Sequence, residues 1–555
     1  MRSMAIALVS LSWVSALHAE PLPSYLNSNE TERNLPAPNL PADAFRPVTP
    51  KLQVPTPAAQ QQPLMMNTKV LIRRVRIEGG TVYPLSELRA NYQGMLGREV
   101  TLGELIEATR QLTQRYQSDG YLLSYAFLPV QDFADGLLRV VLVEGYIRDY
   151  ELQGDIGRVS AYLDTLVAKL KAERPLTRKT FDRYTSLMSR VPGITLQAQV
   201  PPPGTTDGAS KMLVQASRKP FTTSMNLTDG SRDDIQALFA ANSNAQTAWA
   251  EQLSVSALYP PGDDKEHYFR VDYSHNLDSE GTQLLLSASR YRSDPEAIVR
   301  LANGVDLKQH RENDRYSIGL SHPLIASPNE WLSLSARFYA VDDTSDYRVI
   351  GFPLKVSTTT DIRALAFEGD WRKATDTRLR ILSAGVYQGI NGLGASTNAG
   401  YDLDFFRLRV SGVQSDRFFE SWQGVASAAL YWTDDNLADS ERAVFGGQNF
   451  GRGYPVDQAS GDKGWGVAYE VNYSFKRDGD WVKLLQPYVV LDAARAWFNE
   501  LEVQDSRMSS AALGLRFGDA HYYNISLEVA KPMSDIALDS FNRRPRFTVS
   551  FSYQL

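Results

Sequence analysis

Between Lys219 and Leu555 apolar and polar residues alternate in short segments, and no other sequence feature restricts the fold so severely. A period of two gives a strand one apolar and one polar face. In His267–Leu277, Phe269, Val271 and Tyr273 share one face while Arg270, Asp272 and Ser274 share the other. Trp465, Val467, Tyr469, Val471, Tyr473 and Phe475 alternate with Gly466, Ala468, Glu470, Asn472 and Ser474. Phe547, Val549, Phe551, Tyr553 and Leu555 alternate with Thr548, Ser550, Ser552 and Gln554. About sixteen such segments can be counted, an even number as a bacterial outer-membrane barrel requires. They begin near Phe221, Ile235, Leu253, His267, Thr282, Tyr316, Trp331, Thr359, Leu379, Phe405, Val425, Gly464, Pro487, Ser509, Tyr522 and Arg546.

A soluble β-sandwich or propeller would also alternate. Two features favour lipid. Many segments approach the ten or so residues that a tilted strand needs to cross a bilayer, whereas soluble strands average about five or six. The sequence also ends on an alternating segment, so first and last strands can pair and leave no open edge. Beyond the N-terminus no apolar run reaches the length of a spanning helix. The expected fold is a transmembrane antiparallel β-barrel of about sixteen strands over residues 219–555.

Residues 1–19 read as an export signal: Arg2, an apolar core from Met4 to Ala16, and a cleavage site after Ala19. The chain has no cysteine although that signal directs it to an oxidising compartment. A bacterial envelope protein fits both facts. Residues 20–67, rich in Pro and Gln, have linker chemistry. Two α+β units follow, each with the order β-α-α-β-β. The first, residues 68–145, opens with the strand around Val75-Arg76-Ile77-Glu78-Gly79. Its second helix spans Thr101 to Ser118, with Thr101 as N-cap and Glu104 three residues on, and Asp119-Gly120 as stop. Strands at Tyr121–Pro129 and Leu137–Glu144 complete it. The second unit, residues 146–218, repeats the pattern with helices at Arg158–Ala172 and Thr177–Arg190, then strands at Ile194–Val200 and Met212–Ala216.

Catalytic patterns are missing from this sequence. None of the six histidines stands in a zinc spacing, no G-x-S-x-G elbow occurs, and no carboxylates pair convincingly. With Lys+Arg 58 against Asp+Glu 64 the net charge is −6, so no basic field recruits nucleic acid. Gly446-Gly447-Gln448-Asn449-Phe450-Gly451-Arg452-Gly453-Tyr454 is not a nucleotide loop, since neither a buried parallel strand nor a Lys-Ser/Thr pair flanks it. It does lie in the longest late connection, about Asp434 to Lys463, and long connections in compact folds are often functional. Arg452 and Tyr454 offer a fork of donors beside an aromatic anchor. Asp492, in Pro487–Arg495, shares its face with Tyr488 and Val490, and a mid-strand charge should face the lumen. The residues alone leave two arrangements open: a lumenal Arg452–Asp492 pair, or a solvated aspartate and a mobile arginine.

Two β-α-α-β-β modules before a barrel resemble the two-partner secretion transporters, the TpsB family of haemolysin and filamentous-haemagglutinin exporters. Val75–Gly79, Tyr121-Leu122, Leu137-Leu138-Arg139-Val140 and Val143-Glu144-Gly145 are similar to that family's first POTRA domain, and Pro192-Gly193-Ile194 to its second. Arg452-Gly453-Tyr454 matches the family's loop motif from its arginine onwards, with Gly451 in place of the usual aliphatic residue. Leu491-Asp492-Ala493-Ala494 resembles its strand motif, with Ala494 near a position often held by Gly. The last residue is Leu555, where many outer-membrane proteins carry Phe.

The resemblance implies a cofactor-free, non-enzymatic translocator in a Gram-negative outer membrane. Its POTRA modules would hang in the periplasm and catch a large unfolded TpsA-type exoprotein, adhesin- or haemolysin-like. Arg452, Gly453 and Tyr454 would form the functional loop motif, with Asp492 as lumenal partner. Outer-membrane lipid and the barrel assembly machinery would be further partners. Phe547, Val549, Phe551, Tyr553 and Leu555 would form the assembly signal. A plug helix is implied within about Glu20 to Ala44. Rival expectations are an outer-membrane insertase and a passive porin.

Overall fold

A computed structural model of the chain describes residues 66–554 except 230–234, 297, 301–304, 457, 477–478, 480, 501–504 and 520–521. The export signal, residues 20–65 of the linker with the expected plug helix, and Leu555 lie outside the described residues. The first α+β unit contains β1 (Arg74–Glu78), α1 (Leu85–Gln93), α2 (Leu102–Ser118), β2 (Tyr125–Phe127) and β3 (Leu137–Val143). β3 lies in the centre of the sheet, parallel to β1 and antiparallel to β2. Helix α2 begins with the expected reciprocal cap: the Glu104 amide donates to the Thr101 hydroxyl oxygen at 3.2 Å, and the Thr101 amide donates to the Glu104 carboxylate at 2.7 Å. Its Leu105, Ala108, Leu112 and Tyr116 turn inward to cover the sheet. The strand expected over Tyr121–Pro129 is shorter, because Tyr121 to Ser124 close a turn in which the Ser124 amide bonds the Tyr121 carbonyl.

The motif glycines and Glu144 brace this unit. Gly79 has φ +83° and lies so close to β3 that a Cβ would meet the Leu142 carbonyl oxygen at 2.3 Å. Glu144 accepts the Thr81 and Val82 amides at 2.7 and 3.0 Å and the Tyr116 hydroxyl at 2.9 Å. Burial pushes the Glu144 carboxyl up, but these donors and the Thr81 hydroxyl outweigh it and hold the group below its ordinary value.

The second unit repeats the topology with β4 (Tyr146–Gln153), α3 (Ser160–Ala172), α4 (Arg178–Ser189), β5 (Ile194–Gln199) and β6 (Ala209–Arg218). Here β6 is central, parallel to β4 and antiparallel to β5. The units are hydrogen-bonded to each other, with Arg178 N–H to the Gly120 carbonyl and Leu176 N–H to the Gly145 carbonyl.

The remainder closes into an antiparallel barrel of sixteen strands. The strand Phe221–Asp229 pairs with both Gln236–Asn244 and the final strand Arg546–Gln554, so the ladder is continuous. Lipid-facing side chains are the expected ones: Val467, Tyr469, Val489, Leu491 and Phe547 are exposed, while Glu470, Asn472, Tyr488 and Asp492 are buried in the lumen. Strands Asp306–Ala326, Glu330–Val349 and Lys355–Ala374 are longer than expected.

The second unit sits against the end of the barrel where the strand connections are shortest. Glu280, in the turn after His267–Asn276, receives Arg183 at 3.2 Å, Lys169 at 3.0 Å and the Tyr184 hydroxyl at 2.9 Å. The Arg190 guanidinium stacks 3.7 Å from the Trp331 ring centroid, and Arg218 donates to the Ala245 carbonyl at 2.9 Å. Short turns therefore face the second unit, and the long connections open on the opposite side.

Candidate functional site: a loop folded into the lumen

The connection between Trp422–Trp432 and Lys463–Tyr473 turns back into the barrel. It contains a 3-10 turn, Asp439–Glu441, and a two-stranded ribbon, Ala443–Phe445 with Ala459–Gly461. Phe445, Phe450 and Tyr454 pack with Tyr431, Ala494, Ala496 and Met508 of the barrel wall. This apolar cluster holds the ribbon inside rather than above the rim.

Glycines make the turn at its tip possible. Gly446 and Gly447 have φ of 132° and 72°, and their amides donate to the Phe450 and Tyr454 carbonyls at 2.9 and 3.2 Å. Gly451 has φ +88°, a conformation that disfavours the aliphatic residue of the related motif, and its Cβ would also crowd the Met508 sulfur at 3.0 Å. At Gly453 a Cβ would lie 2.6 Å from the Pro532 nitrogen, so the chain passes the wall there at backbone contact. Tyr454 is fully buried; its hydroxyl donates to the Ser509 carbonyl at 3.3 Å and accepts from the Ser534 amide at 3.2 Å.

The expected side-chain pair between Arg452 and Asp492 is not formed. Asp492 instead accepts the backbone amides of Gly451 at 2.7 Å and of Arg452 at 3.4 Å, and the Ser510 hydroxyl lies 2.7 Å from both of its oxygens. With its oxygens taken by the loop backbone, Asp492 leaves the guanidinium to Glu528, which Arg452 reaches at 2.5 Å. Glu528 also accepts the Tyr488 hydroxyl at 2.9 Å. Beside it Arg516 makes two parallel bonds to Glu470, at 2.6 and 2.7 Å, and stacks 3.9 Å from the Tyr488 ring centroid. Two arginines and three carboxylates thus line one side of the lumen. Charge of both signs is kept close, with a formal excess of one carboxylate over the two guanidinium groups.

Glu528 and Glu470 escaped the sequence reading. Both are polar residues on the inward face of an alternating strand, like dozens of their neighbours, and only strand register aligns them with Arg452. Glu441 escaped it too, although it is buried and paired to Arg407 and Arg315. Phe547, Val549, Phe551 and Tyr553 lie on the outer face of the closing strand, away from the lumen that holds the loop. Among the described residues no cluster of histidine and carboxylate side chains could hold a metal.

Residues 70–145 match the POTRA domain family of ShlB type, and residues 220–517 match the haemolysin secretion/activation protein family ShlB/FhaC/HecB. The heme/hemopexin transporter protein HuxB of Haemophilus influenzae strain 86-028NP is 20% identical over 471 residues, covering 81% of this chain and 80% of HuxB. CdiB from Escherichia coli superimposes with a TM-score of 0.69 at 16% identity, over 92% of this chain and 93% of CdiB. CdiB from Acinetobacter baumannii gives 0.60 at 15% identity, over 91% and 95%. BamA from Haemophilus ducreyi lacking POTRA domains 1–3 gives 0.50 at 14%, over 87% and 100%.

Proposed function

The chain belongs to the haemolysin secretion/activation family ShlB/FhaC/HecB, and from that membership we propose how its parts divide the work of export. It is an outer-membrane translocator of two-partner secretion, with its POTRA domains in the periplasm. We assign residues 68–145 and 146–218 to two POTRA modules and 219–555 to the barrel. The modules take the exoprotein's N-terminal region by strand augmentation, since β1, β2, β4 and β5 are sheet edges to which an extended peptide can add. The cargo is a large unfolded adhesin- or haemolysin-like protein. The likeness to HuxB adds a haem- or hemopexin-handling exoprotein to that class.

No chemical step is needed. Nucleotide is absent outside the cytoplasm, and a client that folds at the surface is withdrawn from the unfolded pool, which draws the remainder through. The lumenal loop held by Gly451, Arg452 and Tyr454 is the observation that favours a gated conduit over a passive porin. Two modules, the second of them docked to the barrel mouth, favour export over insertion, where a longer periplasmic array is usual in the family's insertase relatives. The barrel assembly machinery reads the closing strand during insertion.

Deleting residues 70–216 is expected to leave a heat-modifiable barrel in the outer membrane and to abolish release of the exoprotein encoded beside this chain. Undiminished release from that variant removes the modules from the mechanism.

A further inference from the structure

The tip of the lumenal loop is fixed to strands late in the chain, but its base is fixed elsewhere. Glu441, in the Asp439–Glu441 turn, is buried, and its carboxylate accepts Arg407 at 3.0 Å, Arg315 at 3.1 Å and the Tyr339 hydroxyl at 3.0 Å. Arg407 also donates to the Glu441 carbonyl at 2.6 Å, and Arg315 to the Ser440 carbonyl at 3.3 Å. The Arg407 guanidinium in turn lies 4.2 Å from the Tyr387 ring centroid. Both oxygens of one carboxylate are thus held by two cations and a phenol, with backbone bonds fixing the turn that carries it.

The positions of these partners around the barrel matter. Arg315 and Tyr339 stand on Asp306–Ala326 and Glu330–Val349, the sixth and seventh of the sixteen strands. Ser510 and Glu528, which meet the loop tip, stand on Ser506–Gly518 and Tyr523–Pro532, the fourteenth and fifteenth. Arg407 stands on Phe406–Arg417, the tenth, and Asp492 on Leu484–Trp497, the thirteenth, so base and tip are held by separate sets of strands. The loop is therefore tied at both ends, to different strands of the wall.

We propose that Glu441 is a second anchor of this loop and a positioning residue for translocation. It fixes the base on strands other than those that hold Arg452, so that the loop is a strap whose obstruction of the conduit depends on both attachments. Release of the tip alone swings the loop about the Glu441 cluster, and release of the base alone leaves it hanging from Asp492 and Glu528. This rests on the reading of the lumen as the export conduit.

The test separates the two claims. The chain contains no cysteine, so one can be placed at will. Ser440→Cys reports on the base, where Ser440 is buried, and Val456→Cys reports on the segment beyond the tip. The purified full chain in lipid vesicles, without exoprotein, is treated with a charged maleimide from the outer side. Glu441→Gln is expected to raise modification at position 440 about tenfold and the occupancy of open conductance levels in planar bilayers by a similar factor, within the range of ordinary coupling energies. Arg452→Ala should raise modification at 456 and leave 440 protected.

Tyr339→Phe removes one donor and no charge; a smaller rise at 440 is expected, and this variant serves where Glu441→Gln does not give a heat-modifiable barrel. Wild-type protection of position 440 in whichever of the two folds overturns the anchor. Secretion of the exoprotein is measured separately. Loss of protection with unimpaired secretion refutes the positioning role and leaves the export reading standing. An exoprotein that is exported without this chain refutes the export reading and leaves the labelling result intact.

Discussion

Arg452 illustrates how a side chain's partner is set by what its own backbone has already used. Asp492 is occupied by the Gly451 and Arg452 amides and by Ser510, so the guanidinium turns to Glu528. The two carboxylates therefore do different work: one holds the loop's main chain, the other its charge. Leaving one member of a buried ion pair without its partner costs about 3–5 kcal/mol, so Arg452→Ala and Glu528→Gln should each cut secretion sharply without lowering barrel abundance. Their double variant should be no worse than the more damaging single one, a coupling of about 1–3 kcal/mol. Asp492→Asn should add its own loss to Arg452→Ala, because its bonds to the amides survive truncation of the arginine side chain. Secretion titres from the two double-mutant cycles decide the matter, and additivity between Arg452 and Glu528 refutes the pairing.

Elements are legible where two forces act on the same residues and obscure where only one does. All sixteen barrel segments could be located because lipid and lumen select opposite faces of each strand. The strand Asp306–Ala326 is legible only from Tyr316, since Lys308–Arg315 is polar on both faces and is held by its neighbours' hydrogen bonds and by ion pairs such as Arg290–Asp314. The caps of α2 could be read from Thr101 and Glu104 alone, as local chemistry writes local structure. The loop and its Arg452 and Tyr454 stand out by length and residue type, family resemblance is needed to favour a lumenal role, and Glu441 and Glu528 could not be read at all, since their partners are brought to them by closure of the barrel.

The first POTRA module permits a test at this scale. Donors hold the Glu144 carboxyl below its ordinary value, so its contribution is present above the unfolded carboxylate range, near about 4.3, and is lost as pH falls through the lower folded value. Protection of the Thr81 and Val82 amides against hydrogen exchange, corrected for intrinsic rates, should fall over that acid window in the full chain. Glu144→Gln should lower their protection at neutral pH and remove the acid step. A step retained in that variant assigns it to another group.

For the whole molecule the decisive event is closure, because an open sheet edge in lipid leaves backbone donors and acceptors without partners at several kcal/mol each. Closure here depends on the ladder between the first and last spanning strands: among the described residues Val549 to Gln554 pair with Asp229 to Ser224, six on each side. The opposite edge of the last strand is more extensively paired, from Tyr523–Tyr553 to Ala530–Arg546. The seam is also tied to the loop, since Gln448 donates to the Thr228 hydroxyl at 2.8 Å on the first strand. Removing residues 551–555 would delete four of the six seam pairs and the aromatic outer-face residues Phe551 and Tyr553 together. The first strand would then lose its partner over most of the seam, and the loop tip would lose a wall of fixed position. The expected outcome is a chain degraded in the periplasm, with no heat-modifiable form in outer-membrane fractions. A variant that keeps full length but carries Phe551→Ser and Tyr553→Ser separates backbone pairing from side-chain recognition. If recognition by the assembly machinery depends on the outer-face aromatics, this variant fails like the truncation; if pairing alone matters, it inserts at close to normal levels. Normal outer-membrane levels of the truncated chain would show that closure does not require this seam.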